Sequence, residues 1–295
     1  MAKTEIDAIR ALLVAKARPV GWHERRARLD EVGSNWPPAA DVTCEAVDCD
    51  GVPGEWSRVA GSEASRVLLY FHGGGYCSGS IVSHRRLVTE AGRAASARTL
   101  AIDYRRAPEH PYPAAHDDAI TAWRFLRNQG IAAEHIAVGG DSAGGNLALA
   151  LIDRLRAAGD KLPACAWLIS PWTDLTMSGA TLATKDAVDP LIHKAYLEEL
   201  AAAYAPAPID RRDPLISPLF ADLADFPPML IQVGSAETLL ADATRLAASA
   251  GAADVEVTLQ IWPQMIHAWP VWNAALEDGR RALAQAGAFI HAHLR

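Results

Sequence analysis

Along this chain, short apolar and β-branched runs alternate with longer stretches whose apolar residues recur every three or four positions. The runs 66–71, 99–104, 135–138, 166–169, 229–233 and 255–262 read as strands. Helices are expected between and after them at 83–97, 115–128, 146–158, 237–250 and 273–294. The last carries Leu276, Leu283 and Ile290 at heptad spacing, a stripe expected to lie on the sheet. Alternation of this kind predicts an α/β fold: a mostly parallel, twisted sheet with helices on both faces. Two earlier runs, 41–47 and 56–60, are expected to form an antiparallel edge.

Two stretches break the alternation. Residues 1–40 form an amphipathic helix and loop, with Ile6, Ile9, Leu12 and Leu13 interleaved with Asp7 and Arg10. Residues 179–212 interrupt the sheet between two strands. There Asp189 is the expected N-cap and Pro190 the first position of a helix carrying Leu191, Ile192, Leu197 and Leu200. Open α/β sheets bind ligands beyond the carboxyl ends of their strands. Both stretches are therefore expected to pack together as a helical cap over a body made of 41–178 and 213–295.

Composition narrows the function classes. A chain of 295 residues, half of them hydrophobic, suits one large α/β unit with an appendage. The net charge of −7 is spread along the chain without a basic stripe, which argues against nucleic acid and anionic membranes as partners. The unbroken apolar stretch 11–15 is too short for a signal-peptide core or a membrane span, so a cytoplasmic location without stable membrane insertion is expected. The four cysteines show no metal or redox spacing. Cys44 and Cys49 are near enough to meet in a turn, but a disulfide is not expected in a cytosolic chain, and Cys77 reads as packing.

The chemistry begins at Gly140-Asp141-Ser142-Ala143-Gly144, between an apolar strand run and an alanine- and leucine-rich helix. That is the G-x-S-x-G turn, which holds a serine in a strained backbone with its hydroxyl exposed. A glycine-rich strand-to-helix turn can also cradle phosphate, but neither G-x-G-x-x-G nor the P-loop pattern is met. A second motif, His72-Gly73-Gly74-Gly75-Tyr76, directly follows a strand. Consecutive glycines let backbone N–H groups point at a carbonyl oxygen that becomes negative during attack, each donor being worth roughly 2.7–4 kcal/mol at the transition state. The alternative is a flexible glycine turn; its position ahead of the serine turn favours the catalytic reading.

These motifs resemble the hormone-sensitive-lipase group of α/β-hydrolases, the bacterial family IV esterases marked by H-G-G-G and G-D-S-A-G-G. The segments 103–115, 170–174 and 213–219 are similar to the same family, so the likeness runs from about residue 65 to the C-terminus. Arg106 stands where that family usually has leucine. The resemblance implies an α/β-hydrolase fold with the body as catalytic domain. It implies Ser142 as nucleophile, with the backbone N–H groups of Gly74, Gly75 and Ala143 as oxyanion donors. His72 and Asp141 would stabilise the loop and the turn rather than react.

The base must follow the serine in this fold, with its orienting carboxylate between them. Of the four later histidines, His193 lies in the expected cap, and His291 and His293 sit on a solvated helix face. His267 follows the last strand, where the family's base sits, although Gln264 and Trp269 replace the usual glycine and phenylalanine. The family's acid segment aligns with 234–242, which puts Glu237 at the acid position and leaves Asp242 as competitor. Expected is a serine carboxylesterase for small esters of short to medium acyl chains, needing no cofactor or metal. A homodimer is admitted by analogy with related esterases. Three alternatives remain: a catalytically silent binding protein, an interfacial lipase, and an amidase on the same residues. Cap residues and the loop 76–81 are expected to build the substrate pockets.

Overall fold

The computed structural model describes residues 2–295, so Met1 of the 1–40 segment lies outside the described residues. The strands are β1 (Val42–Cys49), β2 (Val52–Val59), β3 (Glu63–Phe71), β4 (Ala97–Ile102), β5 (Ile136–Asp141), β6 (Cys165–Ile169), β7 (Met229–Gly234) and β8 (Val257–Trp262). They form one sheet in the order β1-β2-β4-β3-β5-β6-β7-β8. β2 runs antiparallel to both its neighbours, and every pairing from β4 to β8 is parallel. The antiparallel edge thus forms as expected, with longer strands. Cys44 and Cys49 are both free thiols on β1.

The helices are α1 (Ala2–Val14), α2 (Trp22–Ser34), α3 (Ile81–Ala95), α4 (Ala114–Asn128), α5 (Ala143–Ala157), α6 (Thr181–Thr184), α7 (Lys194–Tyr204), α8 (Leu240–Ala252) and α9 (Glu277–His293). Capping shows why α3 starts two residues before the expected position. The Ser80 hydroxyl accepts from Ser83 N at 3.1 Å, and Ser83 Oγ accepts from Ser80 N at 2.8 Å, satisfying two otherwise orphaned donors. Ser96 then takes a left-handed conformation, and Ala97 enters β4.

Alternation along β3 sorts the core. Val67, Leu69 and Phe71 face one side with Leu147 and Leu151 of α5, Trp123 of α4 and Leu246 of α8. Leu68 and Tyr70 face the other with Leu87 of α3 and Leu283 and Ile290 of α9. A third cluster seats Ile6 and Ile9 of α1 against Trp262, Trp269 and Trp272.

Two expectations need correction. Leu276 is not part of the stripe on the sheet: it precedes α9 and packs in the third cluster, because a short 3-10 turn at Trp269–Trp272 delays the helix. The helix expected to start at Pro190 starts instead at Lys194, and its N-cap is His193. Asp189 does accept from Leu191 N at 2.9 Å and Ile192 N at 3.0 Å, as an N-cap would. Its second oxygen, however, accepts Thr238 N at 2.8 Å across the fold, which holds the segment as a turn.

Candidate active site

Ser142 stands at the sharp corner between β5 and α5 with φ 54° and ψ −119°, a conformation rarely populated by non-glycine residues. Neighbouring strands over-determine it. Ser142 N donates to the Ile169 carbonyl at 2.9 Å, and the Ser142 carbonyl accepts from Trp172 N at 3.1 Å and Asn146 N at 3.2 Å. A Cβ at Gly144 would overlap the Phe71 carbonyl oxygen, so only glycine lets α5 approach β3 this closely.

The glycine loop is tied to the same corner. Asp141 Oδ1 accepts Gly73 N at 2.9 Å and the Tyr70 hydroxyl at 2.8 Å. Tyr76 OH donates to Asn146 Oδ1 at 2.7 Å, and Asn146 Nδ2 donates to the Trp172 and Ile216 carbonyls at 2.8 and 2.9 Å. Gly74 and Gly75 take φ of 112° and 63° and border the cavity that Ser142 faces. Ala143 heads α5, where the first N–H groups of a helix have no intrahelical acceptor. His72 stacks on Tyr104 with ring centroids 4.2 Å apart, and its Nδ1 lies 2.8 Å from the Gly73 carbonyl. Burial, aided by nearby His84, pushes the His72 imidazole down to about 3, so the ring is neutral and supports the loop.

His267 follows β8 and borders the same cavity. Its Nδ1 lies 3.3 Å from Oε1 of Glu237, which is completely buried just beyond β7 and ahead of α8. That contact leaves the opposite ring nitrogen, Nε2, for a substrate or nucleophile. Burial lowers the His267 imidazole, but the hydrogen bond and charge of Glu237, with Asp189 and Asp141, outweigh it and hold the ring above its ordinary value. Asp242, the competing carboxylate, points elsewhere. It sits in the first turn of α8 and accepts Thr173 N at 2.8 Å and Asp174 N at 2.9 Å. Burial and the charge of Asp174 push it up to about 7.

Three contributors escaped sequence reasoning. Ser170, with φ 44° just after β6, donates to Glu237 Oε2 at 2.7 Å and accepts Ala268 N at 3.1 Å; Gly234 N also donates to Glu237 Oε2 at 2.8 Å. Asp189 anchors Thr238, the residue after Glu237. His84 on α3 faces Asp141, with Nε2 3.3 Å from the carboxylate. The sequence marked Ser170 by its family-like segment and Asp189 as an expected N-cap, without a part in the site for either, and nothing marked His84.

The cavity has a volume of about 1030 Å³. Beside Ser142 and His267 it is lined by Leu197 and Leu200 of α7, by Ile192 and Tyr196, and by Leu12 and Leu29 of α1 and α2. Of the loop 76–81, Ser78 is the lining residue. Arg25 of α2 grips Glu199 of α7 through two bonds of 2.9 and 3.0 Å, joining the two stretches that break the strand–helix alternation. Arg10 of α1 donates to the Val188 and Gln264 carbonyls at 2.8 and 2.7 Å.

Comparison with known proteins agrees with this fold. A family model described as the α/β-hydrolase fold matches residues 68–271. A protein of Streptomyces hygroscopicus named acetyl-hydrolase is 42% identical over 301 residues, covering 98% of this chain and 97% of its own length. An esterase of Acinetobacter venetianus is 35% identical, with 90% of this chain and 87% of the relative covered. Among solved structures, an esterase from the bacterial hormone-sensitive lipase family superposes with a TM-score of 0.96 at 37% identity, covering 99% of both chains.

Proposed function

Because this chain belongs to the α/β-hydrolase family, in its branch of hormone-sensitive-lipase-like esterases, we propose that it hydrolyses short acyl esters through an acyl-enzyme on Ser142. It is a carboxylic ester hydrolase. The observation that carries the residue assignment is the strained Ser142 facing one cavity with His267, whose far nitrogen is held by a buried carboxylate.

In this reading His267 Nε2 takes the proton of the Ser142 hydroxyl as its oxygen attacks the ester carbonyl. Charge developing on the carbonyl oxygen is met by the N–H groups of Gly74, Gly75 and Ala143, reinforced by the positive end of α5. His267 then gives the proton to the leaving alcohol. Water, deprotonated by the same ring, releases the acid. Glu237 keeps the imidazole in the productive tautomer and steadies the imidazolium.

Residues 1–40 and 179–212 act as a cap in this reading. The Arg25–Glu199 pair and their shared lining of the cavity support it. No helix among the described residues is long and apolar enough to cross a membrane. A cytoplasmic location belongs to the same proposal, consistent with Cys44, Cys49, Cys77 and Cys165 all being free thiols. Homodimerisation by analogy with related esterases is checked by sedimentation.

The deciding experiment is hydrolysis of p-nitrophenyl esters across acyl lengths, with Ser142→Ala as control and stoichiometric organophosphate labelling of Ser142. Turnover on short esters that vanishes in the variant is expected. Absence of both labelling and ester turnover would replace the esterase reading with a silent binding protein, whereas labelling without ester turnover would favour the amidase reading.

A further inference from the structure

Asp141 poses an electrostatic problem. Its carboxylate is needed where it is, because it holds Gly73 N and so fixes the glycine loop against the nucleophile turn. Yet it is buried, directly precedes Ser142, and carries the same sign as the oxyanion that must form on Gly74 and Gly75. An uncompensated buried anion at that point opposes the transition state it helps to organise.

His84 supplies the compensation. It projects from α3 into the same neighbourhood, is buried, and borders the cavity beside Ser142. Nε2 faces the Asp141 carboxylate at 3.3 Å, and Nδ1 faces the Ser80 carbonyl at 3.4 Å and, at 2.8 Å, the Ser83 hydroxyl, which accepts there because its own proton goes to the Ser80 carbonyl at 2.9 Å. Only the doubly protonated ring donates from both sides. The surrounding charges agree. From the loop after β3 comes His72, 5.8 Å away between centroids; from α2 comes Asp30, whose Oδ1 accepts the Ser80 hydroxyl at 2.5 Å. Asp103, beyond β4, accepts Ile81 N at 2.9 Å and lies 3.8 Å from His72.

We propose that His84 is a positioning residue for the oxyanion hole, a resident cation that neutralises Asp141 so that the carboxylate can hold the glycine loop without opposing the developing oxyanion. This rests on the assignment of Ser142 and His267 above. Burial lowers His84, but the charge and hydrogen bond of Asp141 outweigh it; burial raises Asp141, and His84 more than offsets that. Asp141 also raises His267, so the charge of His84 reaches the base through Asp141.

The test uses His84→Gln, which keeps a donor toward Asp141 and removes the charge. Expected is a kcat lower by about tenfold or more with KM little changed. The acid limb of the kcat/KM profile should move upward by about half a pH unit, because an uncompensated Asp141 raises His267 further. Adding Asp141→Asn in the same chain removes both buried charges; it should return the limb to its wild-type position and recover part of kcat. That double variant also decides the matter if His84→Gln alone does not fold. A limb that stays put in His84→Gln, or that the double variant fails to restore, overturns the role of His84. Failure of the wild type to take up one organophosphate per chain would instead overturn the parent assignment.

Discussion

Ser170 Oγ donates to Glu237 Oε2 at 2.7 Å and accepts the Ala268 N–H at 3.1 Å, so one hydroxyl joins the proposed acid to the residue after the proposed base. Gly234 N reaches the same carboxylate oxygen, which leaves Oε1 alone to face His267. The acid is oriented by its neighbours before any substrate arrives. Removing the hydroxyl frees a buried donor and loosens a buried charge, costing about 1–3 kcal/mol of stability. Ser170→Ala is therefore expected to lower kcat by about tenfold while leaving KM within about threefold, with a reduced melting temperature. Unchanged kcat would show that Gly234 suffices to orient Glu237.

The two candidate acids separate cleanly by substitution. Glu237→Gln keeps the shape but cannot steady the imidazolium, so a loss of about 10²- to 10⁴-fold in kcat is expected. Asp242→Asn still accepts from Thr173 N and Asp174 N through its amide oxygen, and activity should stay within about threefold of wild type. The reverse pattern would transfer the acid role to Asp242.

Much of this was legible in the chain, for identifiable reasons. The strand–helix alternation reported a sheet covered on both faces, and β5, β6 and β7 are buried at every residue, with Asp141 and Gln232 the polar exceptions in otherwise apolar runs. Motifs around Ser142 and His72 were readable because strained turns and close backbone approach admit few residue types. Ser170 and His84 were not, because each acts through a partner 67 or 57 positions away that only the sheet brings near. Asp189 misled for a local reason. Accepting from Leu191 N and Ile192 N is what both an N-cap and an Asx turn do, and the distant Thr238 decides between them.

The pH profile carries the sign of the base's environment. As the proposed base, His267 must be neutral to act, and Glu237, Asp189 and Asp141 outweigh burial to raise the ring above 6.5. kcat/KM should therefore fall as pH drops, with a midpoint above 6.5. In Glu237→Gln the leading opposing influence is gone and burial remains, so the residual activity should show its acid limb at lower pH. A limb that moves upward in that variant would contradict the pairing.

Asp242 makes a separate prediction about stability. Its folded carboxyl, pushed up to about 7 by burial and Asp174, lies above its ordinary value of 3.8. Folding therefore takes up a proton between those values. The corresponding stabilisation is fully present below 3.8 and lost as pH rises through about 7. Asn does not titrate. The melting temperature of wild type relative to Asp242→Asn should fall steadily from pH 5 to about pH 8. Parallel curves would mean that Asp242 is ionised in the fold throughout.

Leu200 forms a wall against the glycine loop. A Cβ at Gly75 would overlap Leu200 Cδ1, so the leucine already touches a glycine proposed to face the oxyanion, and it borders the cavity beside Ser142. An acyl chain running along α7 must pass this side chain and Leu197. A missing or added methylene in such an apolar slot is worth about 1–3 kcal/mol in kcat/KM. Leu200→Ala should therefore move the optimum of a p-nitrophenyl ester series toward longer acyl chains, raising kcat/KM for octanoate relative to acetate by about tenfold or more. Tyr204, stacked on Tyr76 at 3.8 Å between centroids, keeps α7 in place, so the change should act on chain length rather than on folding. An unshifted series would place the acyl chain away from Leu200, elsewhere in the cavity that Val271 and Trp272 also line.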